Sequence, residues 1–186
     1  LAVAALEAPV LFGRRGSPYL GPDGTDWPDN GIRFAALGAA AARLAAAGGF
    51  DAVHAHDWQA GLAGAYLRHA GARAKVLFTV HNLAFQGHFP ASLFPLLGLP
   101  AAAFALAGLE FHGGVGFLKA GLWYADAITT VSPTYAAEIT TPEGGMGLDG
   151  LLVGRADVLH GILNGIDTTE WDPSTDPRLA ARFDAA

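Results

Sequence analysis

Cysteine is absent from the 186-residue chain, which excludes disulfides, thiolate metal ligands and a cysteine nucleophile. A reducing compartment is compatible with that lack. No block of Lys or Arg stands out in a chain of formal net charge −6, so nucleic-acid binding through phosphate neutralisation is not expected. Long hydrophobic runs are missing too. The apolar stretches are Ala-rich and broken by Gly, Arg or Pro, short of the ~20 residues that a membrane helix needs. Leu1-Ala2-Val3-Ala4-Ala5-Leu6 has no basic flank and runs into Glu7, unlike a signal peptide. Serine is confined to Ser17, Ser92, Ser132 and Ser174. None lies in a nucleophile elbow, so covalent serine catalysis is not expected.

What is present is globular: 52% hydrophobic and 15% charged residues. The length corresponds to one large domain or slightly more, able to bury roughly 70% of its unfolded surface. The chain starts at Leu, opens on a strand-like segment and ends in a polar, Pro-containing tail. It therefore reads as a piece of a longer protein.

Apolar segments alternate with helical ones. Leu1 to Leu6 is a strand candidate, and Arg14 to Asn30 is a Pro- and Gly-rich loop containing Tyr19. Ile32 to Ala47 reads as a helix with Phe34, Leu37, Ala41 and Leu44 on one face, capped by Asp29 or Asn30 and stopped by Gly48-Gly49. A strand from Phe50 to His56, a helix from Trp58 to Arg68 and a strand from Lys75 to His81 make a β-α-β unit. Its helix of about eleven residues implies parallel neighbours and a right-handed crossover. Pro90 to Leu109 holds two short apolar helices, and Val115 to Tyr124 a third. A strand from Ala125 to Val131 leads to Ser132-Pro133, an N-cap followed by Pro at the first helical position. Thr141 to Gly150 reads as a loop, and Leu159 to Leu163 as a last strand closed by Asn164-Gly165. The pattern predicts an open α/β fold with a mostly parallel sheet.

Ligands of such sheets bind beyond the carboxyl ends of the strands, and two polar clusters fall there. His81-Asn82, followed by Gln86-Gly87-His88, puts an imidazole and an amide donor and acceptor together, as polyol recognition requires. His54-Ala55-His56-Asp57 ends the neighbouring strand, where His54 and His56 share a face. A metal site using these with Asp57 and His81 lacks a carboxylate-rich partner motif. The plainer reading has one histidine packed in the sheet and Asp57 capping the helix at Trp58. Tyr19 either anchors its loop by packing or offers an aromatic face. Gly113-Gly114-Val115-Gly116 can cradle phosphate at a helix start or mark close packing. Thr141 to Leu148 is a mobile substrate loop or a plain surface connection.

Five strings in order go further. They are His54-Ala55-His56-Asp57-Trp58-Gln59-Ala60-Gly61-Leu62, Thr79-Val80-His81-Asn82-Leu83-Ala84-Phe85-Gln86-Gly87, Phe117-Leu118-Lys119-Ala120-Gly121-Leu122, Thr130-Val131-Ser132-Pro133-Thr134-Tyr135 and Gly161-Ile162-Leu163-Asn164-Gly165-Ile166-Asp167. Together they closely resemble the bacterial glycogen synthase and plant starch synthase family, from about Glu7 to Asp176. The resemblance implies a Rossmann-like open sheet with helices on both faces, the N-terminal half of a two-Rossmann-domain (GT-B) glycosyltransferase. Residues 1–176 would be part of that N-terminal, acceptor-side domain and 177–186 the start of a linker, with the nucleotide-sugar domain absent. It further implies a retaining transfer of glucose from ADP-glucose to the non-reducing end of an α-1,4-glucan, in the cytoplasm, with no metal or cofactor. By the same resemblance His81 hydrogen-bonds the transferred glucose near the reacting centre, and Asn164 is a second sugar contact. Asp57, Trp58, Asn82 and Tyr19 match positions on the acceptor side.

Two departures limit the piece. The family's Lys-x-Gly-Gly-Leu motif, which contacts the donor phosphates, does not occur in the sequence. Neither do the Arg, Lys and Glu of the second domain that stabilise the departing ADP. Electrostatic stabilisation of developing charge is usually the largest catalytic contribution, so little or no transfer is expected of this polypeptide by itself. The alternatives are a non-catalytic glucan-binding module and a metal-dependent hydrolase built on His54, His56, Asp57 and His81.

Overall fold

The computed structural model describes residues 5–184. The strand expected at Leu1 to Leu6 falls largely outside them, and the first regular element is one helical turn, α1 (Pro9–Phe12). The chain then forms α2 (Asn30–Gly48), β1 (Ala52–His56), α3 (Asp57–Ala60), α4 (Ala63–His69) and β2 (Lys75–Val80). After these come β3 (His88–Pro90), two 3₁₀ segments (Ala91–Leu97 and Ala101–Ala103), β4 (Glu110–Phe111) and β5 (Gly114–Gly116). The last elements are α5 (Phe117–Tyr124), β6 (Ala127–Thr130), α6 (Pro133–Glu138), α7 (Asp149–Val153) and β7 (Leu159–Gly161).

The main sheet has the order β1-β2-β6-β7 with every neighbouring pair parallel. This is the open α/β arrangement that the alternating pattern predicts. Ala55, Phe78 and Ile128 lie in register across three strands. With Val76 and Val80 they enter a core shared with Leu67 of α4 and with Leu118 and Leu122 of α5. Each large apolar side chain fully buried here contributes roughly 1.5–3 kcal/mol. The other face carries His54, His56, Thr79 and Thr129. Leu77 and Ala127 share that face, and Thr130 lies on the core face beside Val80.

Three expectations change. The helix from Trp58 to Arg68 is interrupted at Gly61-Leu62 between α3 and α4, and Gly61 lies so close to α5 that a Cβ there would be 2.1 Å from the Phe117 carbonyl oxygen. The inward face of α2 is not the one with the large residues. Leu37 and Leu44 are exposed, whereas Phe34, Ala35, Gly38, Ala42 and Ala45 are buried. The helix packs so closely on α4 that a Cβ at Gly38 would sit 3.1 Å from the Ala63 nitrogen, so small residues face inward. Finally, the glycine-dense stretch is a hairpin. Phe111 pairs with Gly114, leaving His112 and Gly113 as a two-residue turn with φ of +47° and +76°, the both-positive geometry of a type I′ turn.

Candidate functional site

The site begins where β1 ends. Asp57 has φ +53°, a left-handed conformation that short polar side chains tolerate better than most. It swings the chain from strand to helix within one residue. Its carboxylate accepts a hydrogen bond from the His81 backbone N–H at 2.8 Å. This corrects the expected N-cap role: α3 starts at Asp57 itself, and no side chain caps it. The carboxylate is used across the sheet, where it ties β1 to the end of β2.

The stretch after β2 is braced from four directions. Asn82 Oδ1 accepts the Ala84 N–H at 2.9 Å, closing an Asx turn. The Leu83 N–H donates to the Tyr135 hydroxyl at 2.9 Å. Tyr135 is itself placed by the Ser132 cap, which accepts the Tyr135 N–H at 2.9 Å. The Phe117 and Leu118 N–H groups donate to the Gly87 and Gln86 carbonyls at 3.1 and 3.0 Å, and the Gln86 side-chain amide donates to the Met146 carbonyl at 3.1 Å. Of the two readings of the glycine-dense stretch, close packing holds, since a Cβ on Gly114 would lie 2.5 Å from the Phe89 carbonyl oxygen, and the phosphate cradle does not. The two N–H groups that open α5 are already spent on the loop. Gly87 has φ +58°, and a Cβ there would lie 2.4 Å from the Trp58 ring, so only glycine lets the loop lie on that indole.

Trp58 is the hinge of an aromatic cluster. Its ring meets Phe34 edge-on at 4.7 Å between centroids, and Phe89, Phe117 and Tyr19 lie at 5.9, 6.4 and 6.4 Å. Tyr19 stacks on Phe34 at 5.9 Å, and its hydroxyl accepts a hydrogen bond from the Gln59 amide at 3.1 Å. Tyr19 thus packs its loop and still presents a partly exposed ring. Beside these residues opens a cavity of about 800 Å³ whose wall includes Tyr19, Trp27, Asp57, Trp58, Asn82 and Phe85. No Lys or Arg is among the described residues that line it. Flat aromatic faces with neutral amides and carboxylates suit a hydroxyl-rich neutral ligand better than a pyrophosphate.

Four of the six residues singled out by sequence, Tyr19, Asp57, Trp58 and Asn82, therefore share one wall. His81 is exposed, adjoins that wall through Asp57, and places its ring against His56, with 3.0 Å between His81 Nε2 and His56 Nδ1. Asn164 is exposed on the segment after β7, two strands away from β2, and is not part of the cavity wall. His54 and His56 do share a face, with ring centroids 4.1 Å apart. Yet no three His, Asp or Glu side chains converge as a metal site would need, among the described residues. Sequence reasoning missed Trp27, Gln59 and Phe85. Trp27 carries the signal that drew attention to Tyr19, an aromatic in a polar loop. Gln59 lies inside a matched string without a signal of its own; it lines the cavity and donates to Tyr19.

The model of the starch synthase catalytic domain matches residues 1–154. A glycogen synthase of Acidiphilium cryptum is 62% identical over 186 residues, covering 97% of this chain and 39% of that protein. One from Rhodopseudomonas palustris is 58% identical, covering 99% and 39%. Among solved structures, the catalytic domain of starch synthase IV from Arabidopsis thaliana, bound to ADP and acarbose, is similar with a TM-score of 0.74 and 33% identity. It is matched over 95% of this chain and 37% of that one. The chain spans about 39% of the length of the curated relatives it matches. From the family model and from identities near 60% along nearly its whole length, the chain belongs to the starch synthase catalytic domain family.

Proposed function

We propose that this chain is the acceptor-side, N-terminal part of a glycogen synthase-type retaining glucosyltransferase. The whole enzyme moves glucose from ADP-glucose to the non-reducing end of an α-1,4-glucan. Residues 1–176 belong to the N-terminal domain, and 177–186 begin the connection to a nucleotide-sugar domain. The observation that carries the reading is the cavity at the carboxyl edge of the sheet. It is walled by Tyr19, Trp27, Trp58 and Phe85 with the polar groups of Asp57 and Asn82, and no cation lines it among the described residues. The similar Arabidopsis structure holds ADP and acarbose, which supports a nucleotide and a saccharide meeting in one cleft.

The roles follow from placement. The aromatic faces stack on sugar rings, while Asp57 and Asn82 exchange hydrogen bonds with hydroxyl groups. His81, at the end of β2, contacts the glucose being transferred, and Asn164 approaches the same sugar from the β7 side. Stabilising a departing diphosphate needs cations, and these come from outside the wall described here. By itself, this chain binds glucan and does not transfer glucose. On this reading the enzyme is cytoplasmic and acts on a polymer dispersed in water; no helix among the described residues is long and apolar enough to cross a membrane.

The full-length protein supplied with ADP-glucose and a maltooligosaccharide tests the proposal. Elongation through new α-1,4 bonds is the expected result. Hydrolysis alone, or no glucan product under any nucleotide-glucose donor, contradicts it.

A further inference from the structure

The end of β1 grips His81 at two points. The Asp57 carboxylate takes its backbone N–H at 2.8 Å, and His56 Nδ1 stands 3.0 Å from its ring Nε2. The two imidazoles lie with centroids 5.3 Å apart and planes inclined by 31°. His56 is itself supported, because its ring lies on that of His54 at 4.1 Å. His54 Nε2 in turn meets Thr79 Oγ1 at 2.7 Å, and Thr79 Oγ1 meets Thr129 Oγ1 at 2.6 Å. Three strands thus contribute to one polar chain on the sheet face opposite the core, and it ends at the His81 ring.

We propose that His56 is a positioning residue for His81: its Nδ1 holds the rotation of that ring, couples the ring's tautomer to that of His56, and leaves His81 Nδ1 as the nitrogen available to a sugar hydroxyl. The proposal rests on the reading of His81 as a sugar contact. Neither the cavity wall nor the family resemblance assigns a role to His56.

The chemistry is that of a shared proton. Between two neutral imidazoles, one N–H occupies the bond. When His56 donates through it, His81 keeps its proton on Nδ1 and offers the ligand a donor. When His81 donates, its Nδ1 is bare and offers an acceptor. Either way the outward nitrogen has one defined character. Partial desolvation, followed by the nearby His54 and His81, lowers the His56 pKa from its ordinary value against the opposing pull of Asp57. That direction favours the neutral form of His56, in which its Nδ1 can share one proton with His81 Nε2. Of the other groups of the polar chain, Thr79 and Thr129 carry no charge, and His54 is the titratable group that faces His56 from the same strand. Without the clamp the exposed His81 ring turns among its rotamers and tautomers, and small misplacements of a reacting group are costly.

The experiment uses the full-length protein with ¹⁵N-labelled histidine rings, and compares wild type with His56→Ala and His56→Asn. In wild type, His81 shows one ring tautomer at neutral pH. In His56→Ala its ring nitrogens move to the averaged values of a free imidazole. With that change kcat falls about tenfold while KM for donor and acceptor stays within about twofold, the size of effect expected from losing one orienting hydrogen bond. His56→Asn places a carboxamide near the position of the lost Nδ1 and restores most of both readouts. His81 ring signals and kcat unchanged in His56→Ala overturn the proposal, as does a His56→Asn protein no better than His56→Ala. The ring spectra test the clamp independently of transfer. If His81→Ala leaves kcat unchanged, the sugar-contact reading fails while the spectral response to His56→Ala still stands or falls by itself.

Discussion

The stretch from His81 to Gly87 and the stretch from Ile162 to Ile166 both follow strands of one parallel sheet, and each carries a clear family motif. They are held very differently. The first receives the Asp57 carboxylate from β1, the Tyr135 hydroxyl from α6, two N–H groups from the start of α5 and the flat of the Trp58 ring. The second is joined to its neighbour by the Ile162 N–H donating to the Thr130 carbonyl at 2.8 Å, and Ile162, Leu163 and Ile166 are exposed. A motif's clarity in sequence says which chemistry a segment carries. How firmly that chemistry is aimed depends on partners brought from elsewhere in the chain, as a preorganised site requires.

The comparison can be broken, starting with the largest effect. His81→Ala in the full-length protein is expected to lower kcat between about 10² and 10⁴-fold, the span of a lost proton-handling or charge-contacting group, with the melting temperature nearly unchanged. A kcat within twofold of wild type would take His81 away from the reacting centre and leave the braced loop without its purpose. Trp58→Ala removes the ring on which Phe34, Phe89, Phe117 and Tyr19 converge. Denaturant unfolding should report a loss of about 3 kcal/mol, as for other large-to-small changes of an aromatic in a packed cluster.

Gly87→Ala sharpens the contrast at a single atom. It combines a positive φ with a Cβ pushed into the indole, so a destabilisation of about 1–3 kcal/mol is expected from strain alone. A neutral result would show that the loop is free to lift off Trp58. Asn164→Ala is the counterpart on the loosely held side. It should change unfolding free energy by no more than about 0.5 kcal/mol, the usual range for an exposed position, while raising KM for the sugar donor. Stability loss as large as at Gly87 would mean that the two stretches are braced alike.

Several features were legible in the sequence because they depend on near neighbours. The β-α-β unit, the Ser132 cap, the helix stop at Gly48-Gly49 and the common face of His54 and His56 follow from period, turn chemistry and chain stereochemistry. The inward face of α2 is not the one its large residues mark, because hydrophobic size does not stand for burial there. The close approach to α4 selects Gly38 and Ala42 and leaves Leu37 and Leu44 outside. The hairpin at Glu110–Gly116 is not legible in sequence, because a glycine-rich string fits a helix entry and a tight turn equally well. Only the pairing of Phe111 with Gly114 distinguishes them.

By itself the sequence determined the fold class, the family, and which side chains of hydrogen-bonding or aromatic character stand at the ends of β1 and β2. Each of these is written in residue identity and short-range spacing. Tertiary structure alone decided how those side chains are spent: Asp57 on the His81 N–H instead of a helix end, the α5 N–H groups on Gln86 and Gly87 instead of a phosphate, and His56 on His81. These choices join residues 24 to 32 positions apart in sequence. At such separations the partner of a polar group is set by strand register and helix packing, which no local pattern records.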